Sequence, residues 1–590
     1  MSITSVRAKP TSERRPLPFA LPKAETVLGS VVVFALFVLI LAPLGAVLLQ
    51  AFMPGALTSG VRSSTPASLL DIFSRPLWKQ ALLNSLKLSL FAAVLGGAIG
   101  TSLAFLRHRI RMASASLIDI SAWLILILPS FVIAQGWMLF AGRAGIANQW
   151  LGMGFVTDAV FNPGGLAVVM SLKAFPLAYL AVSAGLQWRL DDLGHAASLS
   201  GAGPARVFRT IHLPLLMPAV LSGCVLIFID VIGDFGLPAA LATTYRFPTL
   251  TYAIYVAINQ SPIRFDQAGI LAFYVTALLL LAVCLYFYLI RRRRFDFLTA
   301  RAKQSQASYS KWGWIADLYA FAIICLAIVI PLGASFIVSI SNGTMSAAGS
   351  ISWTLENYAA VFNDTSPFLD ALKSSLWIAA GAAICSAVIA FLAAYILTFS
   401  KFGLNRLIDL TCTLSLAVPG VVLGIGYIFI WNSPAFDRLG MNLYGHPSIL
   451  IIAGTAGAIP YAIRIMLGSF AQLPSTMLHA AATNGAGMVR RLMTVVIPLT
   501  AIALISATLA AFGSAVFDLA INAILRPPRL SVLPVYVNRA FEQGDFGVST
   551  AATFVAGAVT VVIILVLKSV VTAAFAFDKP ARKSKEPQNA

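Results

Sequence analysis

Apolar residues fall along this chain in long blocks, separated by short polar or basic segments. About 20 helical residues cross a ~30 Å hydrocarbon layer. Runs of that length lie at 27–52, 82–106, 115–141, 164–188, 215–237 and 268–290. They recur at 314–340, 371–399, 407–431, 446–470, 499–521 and 549–575. The pattern predicts an all-α polytopic membrane protein of about twelve transmembrane helices, six in each half.

Composition supports that reading. The 590 residues are 59% hydrophobic and 11% charged, with a mean hydropathy of +0.87, far from the roughly one-quarter charged content of soluble domains. The net charge of +19 would suit nucleic acid in a soluble protein. In a membrane protein, basic residues collect in cytoplasmic loops and beside anionic lipid. Cys224, Cys284, Cys325, Cys385 and Cys412 all lie in apolar runs without short paired spacing. They read as small buried residues, neither a disulfide frame nor a metal site.

Basic residues then orient the chain. Segments placed inside by an N-in, C-in topology hold 26 Lys and Arg, and those placed outside hold 10. The expected organisation is a cytoplasmic tail over 1–26, a first half over 27–290 with its core at about 81–290, and a basic cytoplasmic linker over 291–313. A second half follows over 314–576, with its core at about 371–575, and then a cytoplasmic tail over 577–590. The polar tail leads into a full-length apolar run, which reads as a retained first span and not as a cleaved signal.

The two halves resemble each other. His195-Ala196-Ala197, Gly201-Ala202-Gly203, Arg206 and Ile211-His212-Leu213-Pro214 recur as His479-Ala480-Ala481, Gly485-Ala486-Gly487, Arg490 and Val495-Val496-Ile497-Pro498. The offset is 284 throughout, and nine of twenty positions are identical. Pro43-Leu44-Gly45 matches Pro331-Leu332-Gly333, while Ser85, Asp119 and Pro129 match Ser375, Asp409 and Pro419. Pro176 matches Pro460, and Asp234 matches Asp518. A fixed-offset self-match marks internal duplication, and an even number of spans per copy makes the repeat parallel. Each copy of the long stretch joins the fourth and fifth spans of its half, on the cytoplasmic side. Ala-Ala followed by Gly favours a short helix ending at a residue free to take positive φ. After nine more residues an apolar-x-apolar-Pro stretch re-enters the membrane, its proline fitting the first turn of the next helix. An ordinary helix–turn–helix connection is the bland alternative, but spacing kept twice points to a surface that something docks on.

These residues resemble the EAA loop of inner-membrane permeases in binding-protein-dependent ABC importers of the type I fold. That pattern runs Glu-Ala-Ala, three residues, Gly, nine residues, Ile-x-Leu-Pro. The resemblance implies that the loops form coupling helices docking on two copies of a cytoplasmic ABC ATPase, with a periplasmic solute-binding protein as the other partner. The family's Glu is replaced by His195 and His479, so a hydrogen-bonding imidazole, mostly uncharged near neutral pH, stands where an ion pair is usual. Two halves fused in one chain resemble the ferric-iron importers, and related permeases serve thiamine, 2-aminoethylphosphonate and polyamines. Asp230-Val231-Ile232-Gly233-Asp234-Phe235-Gly236 also resembles a segment of the ferric and thiamine permeases. A bacterial inner-membrane location follows from the same resemblance.

Ionisable residues inside spans are costly and often functional. Asp230, Asp234 and Asp518 can line a translocation path, where carboxylate oxygen suits a hard cation such as Fe³⁺. Alternatively, Asp234 and Asp518 cap helix ends. Lys173 and Arg464 read as snorkelling or hydrogen-bonded residues. No metal-ligand spacing appears, no catalytic residue is expected, and no cofactor is expected in the chain. The sequence contains no Gly-Lys pair and so no P-loop, which places ATP hydrolysis in separate subunits. An ion- or proton-coupled secondary transporter can share the twelve-span parallel repeat, but it gives no reason for the matched loops.

Overall fold

The computed structural model describes residues 22–53, 57, 67–186, 197–245, 247–292, 313–341, 352–363, 365–438, 440 and 442–577. The two tails and the linker fall almost wholly outside these. The described chain is helical apart from turns, loops and isolated bridge residues, among them the pair Ser341 and Trp353. Ten helices among the described residues are long and apolar enough to cross a membrane.

The two remaining apolar runs, third and ninth, are broken at equivalent places. Ala115–Ile127 meets the following helix at 105°, and Asn405–Leu414 gives way to Gly420–Trp431. Pro129 and Pro419 stand at the breaks as the N-caps of the second pieces, both with extended ψ. Proline lacks the N–H and disfavours helix in the residue before it. The polar residues Asn405, Arg406 and Asp409 make the first ninth-run piece too hydrophilic to cross by itself.

In each half the second, fourth and fifth spans form a tight bundle: Pro76–Arg109, Pro163–Leu186 and Leu213–Gly233 in one, Phe368–Phe399, Ser448–Phe470 and Ile497–Val516 in the other. Small residues set the spacing, since lipid offers no hydrophobic drive between helices. A Cβ at Gly223 would lie 2.7 Å from Ala178 Cα, and one at Gly100 would lie 2.5 Å from the Phe175 carbonyl oxygen. The repeated serines also acquire a reason. Ser85 Oγ accepts the Leu250 amide at 2.9 Å, and Ser375 Oγ accepts that of Leu533 at 2.8 Å. Each thereby satisfies an otherwise orphaned first-turn donor of a short helix.

The first span of each half packs most closely on the opposite half, while its other side lies against the last span of its own. Ala42–Phe52 packs on Gly420–Trp431, and Ile330–Ser339 packs on Ser130–Ala141. The contacts are backbone against glycine: a Cβ at Gly426 would lie 2.8 Å from Pro43 Cα, and one at Gly136 would lie 2.7 Å from Pro331 Cα.

Four π-helical turns, Phe37–Leu41, Phe208–His212, Cys325–Val329 and Leu492–Val496, precede Pro43, Pro214, Pro331 and Pro498. In every case the residue four before the proline, whose carbonyl the ring would strike, is the middle residue of the wide turn. The widened turn lets the helix continue through the proline, so the prolines after the duplicated loops sit in continuous helices, Arg209–Gly233 and Met488–Val516. Pro43 cannot donate to the Leu39 carbonyl, and Tyr427, fully buried, donates its hydroxyl there at 2.8 Å. A neighbouring helix thus satisfies a group that lipid would leave orphaned.

The cysteines depart from their expected burial. Cys412 is buried and Cys224 and Cys325 are partly so, but Cys284 and Cys385 are exposed on helix surfaces. A lipid-facing helix surface is as apolar as a core, so an apolar run alone does not tell the two apart.

Candidate functional site

Two sets of residues stand out: the duplicated loops, and a cluster of ionisable side chains where the halves meet.

His195 and Ala196 lie outside the described residues. From Ala197 onward the two loops share one geometry. Gly201 and Gly485 have φ of +83° and +76°. The amide of Ala202 reaches the Ala197 carbonyl and that of Ala486 the Ala481 carbonyl, both at 3.0 Å. Gly201 donates to Ser198 and Gly485 to Ala482, again at 3.0 Å. This pair of bonds closes a helix with a left-handed glycine, and the Ala-Ala-x3-Gly spacing is the spacing it requires. The second glycines start the next turns, Pro204–Val207 and Met488–Arg491, with Val207 and Arg491 donating back to Gly203 and Gly487. Thr210 and Thr494 donate to the carbonyls of Arg206 and Arg490, both at 2.7 Å.

These loops are open. Nothing lies within 4 Å of a Cβ built on Gly201, Gly203, Gly485 or Gly487. His479, Ala480, Arg206, Arg490, Pro214 and Pro498 are exposed, while Ala481, Ile211, Leu213, Val495 and Ile497 are half-buried where the chain turns into its spans. Leu199 is 91% exposed and Val489 69%.

The second set surrounds Lys173, midway along the fourth span. Its Nζ lies 2.6 Å from Asp230 Oδ2 and 3.2 Å from Asp234 Oδ2. Asp234 Oδ1 accepts Ser130 Oγ at 2.9 Å and the Leu237 amide at 3.1 Å, and the Asp234 carbonyl accepts Thr251 Oγ1 at 2.8 Å. One carboxylate therefore ties the third-span break to the fourth span, the end of the fifth and the helix after it. Asp518 likewise caps the helix Leu519–Leu525 through the Ile521 amide at 3.0 Å.

Tyr461, which sequence reading missed, stands between the halves. Its charged neighbours are Asp230 and Lys173 from one half and Asp518 and Arg464 from the other. On this mostly buried helix Gly457, half-buried, lies on the same side as the exposed positions, Tyr461, Arg464 and Gly468. At the 284 offset they answer to Lys173, Leu177, Leu180 and Ala184. That equivalence was the available signal, hidden because leucine stands opposite tyrosine and arginine. Among the described residues no group of three or more His, Cys, Asp or Glu could hold a metal ion.

The family described as binding-protein-dependent transport system inner membrane component matches residues 96–295 and again 386–575. The ferric transport system permease protein FbpB of Actinobacillus pleuropneumoniae is 24% identical over 531 residues, 88% of this chain and 74% of its own length. The putative ferric transport system permease protein FbpB 1 of Haemophilus influenzae is 24% identical over 489 residues, 82% of this chain and 74% of its own length. The molybdenum transport system permease protein ModB of Escherichia coli K12 is 33% identical over 195 residues, 32% of this chain and 83% of its own length. With both matches covering most of a multi-pass chain, the protein belongs to the inner-membrane permeases of binding-protein-dependent transport systems and carries their domain twice.

Proposed function

We propose that the chain forms the whole pore of an ATP-driven importer that moves ferric iron from a periplasmic binding protein to the cytoplasm. Both termini and both duplicated loops face the cytoplasm, where two copies of an ABC ATPase grip the loops. ATP binding and the loaded binding protein each favour one of two arrangements of the halves, and their differential affinity biases alternating access. The fifth spans carry the motion, since each loop runs directly into one through a π-helical turn. Asp230, Asp234 and Asp518 stand along the path.

The carrying observation is that both loops keep one helix-closing geometry with open space above their glycines. The iron assignment rests on the ferric transport relatives, which span most of the chain.

Uptake of ferric citrate into vesicles tests both parts when ATP depletion is compared with uncoupler treatment in ATP-replete vesicles. Loss on depletion and persistence with uncoupler is expected. Uptake that survives depletion and collapses with the proton gradient would refute an ATP-driven importer. Uptake of thiamine, 2-aminoethylphosphonate or a polyamine in place of iron would reassign the cargo.

A further inference from the structure

Asp234 and Asp518 occupy equivalent positions, and each begins the short helix after its fifth span, but their surroundings differ. Asp234 is met by Lys173 Nζ at 3.2 Å and by the Ser130 hydroxyl at 2.9 Å. In the second half the equivalents of Lys173 and Ser130 are Gly457 and Gly420. A Cβ built on these would lie 3.4 Å from Asp518 Oδ2 and 3.7 Å from Asp518 Oδ1. The space filled by an ammonium and a hydroxyl in one half is therefore bordered in the other by the apolar side chains of Ile521 and Ala520, with no polar side chain reaching the carboxylate from these two positions. Asp518 keeps only backbone donors, the amides of Ile521 and Ala520. No Lys or Arg pairs with it among the described residues.

Packing accounts for how the glycines fit. A Cβ on Gly420 would meet Ala520 Cβ at 3.0 Å, whereas in the first half Ser130 faces Gly236, the equivalent of Ala520. The bulk has moved across the contact. A Cβ on Gly457 would meet Ile521 Cδ1 at 3.0 Å, where the first half has Leu237. Packing leaves the electrostatic difference standing: one carboxylate is neutralised, and its twin is not.

We propose that Asp518 is the cargo-contacting carboxylate of the pathway, a station for a hard metal cation, while Lys173 closes Asp230 and Asp234 into a structural lock. The proposal rests on the reading of the chain as an importer of a metal cation. A lone carboxylate already engaged by a backbone amide is a shallow site for a cation. Passage requires binding strong enough to admit the ion and weak enough to release it.

The test grafts the first half's lock onto the second. Gly457→Lys/Ile521→Leu puts an ammonium beside Asp518, Gly457→Ala/Ile521→Leu controls for bulk, and Asp518→Asn removes the charge nearly isosterically. Each is assembled with its ATPase and binding-protein partners in proteoliposomes and supplied with radiolabelled ferric citrate. The lysine graft and Asp518→Asn are expected to slow uptake roughly tenfold, equivalent to about 1.4 kcal/mol on the barrier. The alanine control should retain most of the wild-type rate. Wild-type uptake by the assembled graft, by Asp518→Asn, or an equal loss in the alanine control would overturn the proposal. A wild-type complex that takes up no ferric iron would instead sink the cargo reading beneath it.

Discussion

Replacing Lys173 with methionine keeps the length of the side chain and removes its charge from between two carboxylates. The two are not equally affected. The Asp234 side chain is 4% exposed and retains the Ser130 hydroxyl and the Leu237 amide, both neutral donors. The Asp230 side chain is 34% exposed, so water screens it. Stranding one buried charge costs on the order of 3–5 kcal/mol, and nearly all of it should come from Asp234. The Lys173→Met complex in detergent should therefore unfold at clearly lower temperature, followed by fluorescence-detected size exclusion. Adding Asp234→Asn should recover most of the loss, and adding Asp230→Asn only a minor part. Wild-type stability of Lys173→Met, or better recovery with Asp230→Asn, would refute Asp234 as the buried partner.

Three other perturbations probe other parts of the fold. Leucine at Gly203 or Gly487, where φ is not positive and nothing lies within 4 Å, should leave insertion intact and lower solute-stimulated ATP hydrolysis several-fold; normal stimulation in both would exclude these loops as the coupling contact. The same change at Gly201 or Gly485 adds left-handed backbone strain of about 1 kcal/mol or more and is a poorer probe. Leucine at Gly426 or Gly136 should prevent close packing of the exchanged first spans, so that detergent extracts yield aggregate instead of a monodisperse peak. Tyr427→Phe should destabilise the protein by about 1 kcal/mol, within the range for interhelical bonds in membranes, in the same thermal assay.

Ten of the twelve runs and their pairing into halves were legible because run length and fixed offsets are properties of the chain itself; the breaks in the third and ninth runs, at Pro129 and Pro419, were not read from run length. The loop glycines were legible too, since a helix-closing turn is local chemistry. The exchange of first spans was not: Pro43 and Pro331 match each other, but nothing in a matched pair says which helix each meets. Asp230 and Asp234 advertised themselves by charge; Lys173 read as snorkelling or hydrogen-bonded, and the bond it makes could not be assigned a partner because its carboxylates are 57 and 61 positions away. Gly457 and Gly420 carry no chemistry of their own. Their meaning lies in what their equivalents hold, and only three-dimensional placement reveals which aspartate each one faces.

The crossing of the first spans also bears on how the protein is made. The Leu39 carbonyl and the Tyr427 hydroxyl that satisfies it are 388 residues apart. At ~5–20 residues per second, the donor leaves the ribosome roughly 20–80 s after the acceptor. The opening helix therefore enters the bilayer long before its binding groove exists, and the first six-span unit cannot finish assembling alone. In a two-chain permease that wait would end with whichever copy diffused past. Here each ribosome delivers the matching half in sequence, so fusion supplies the correct mate at fixed stoichiometry and bounds the time an unfinished half remains exposed.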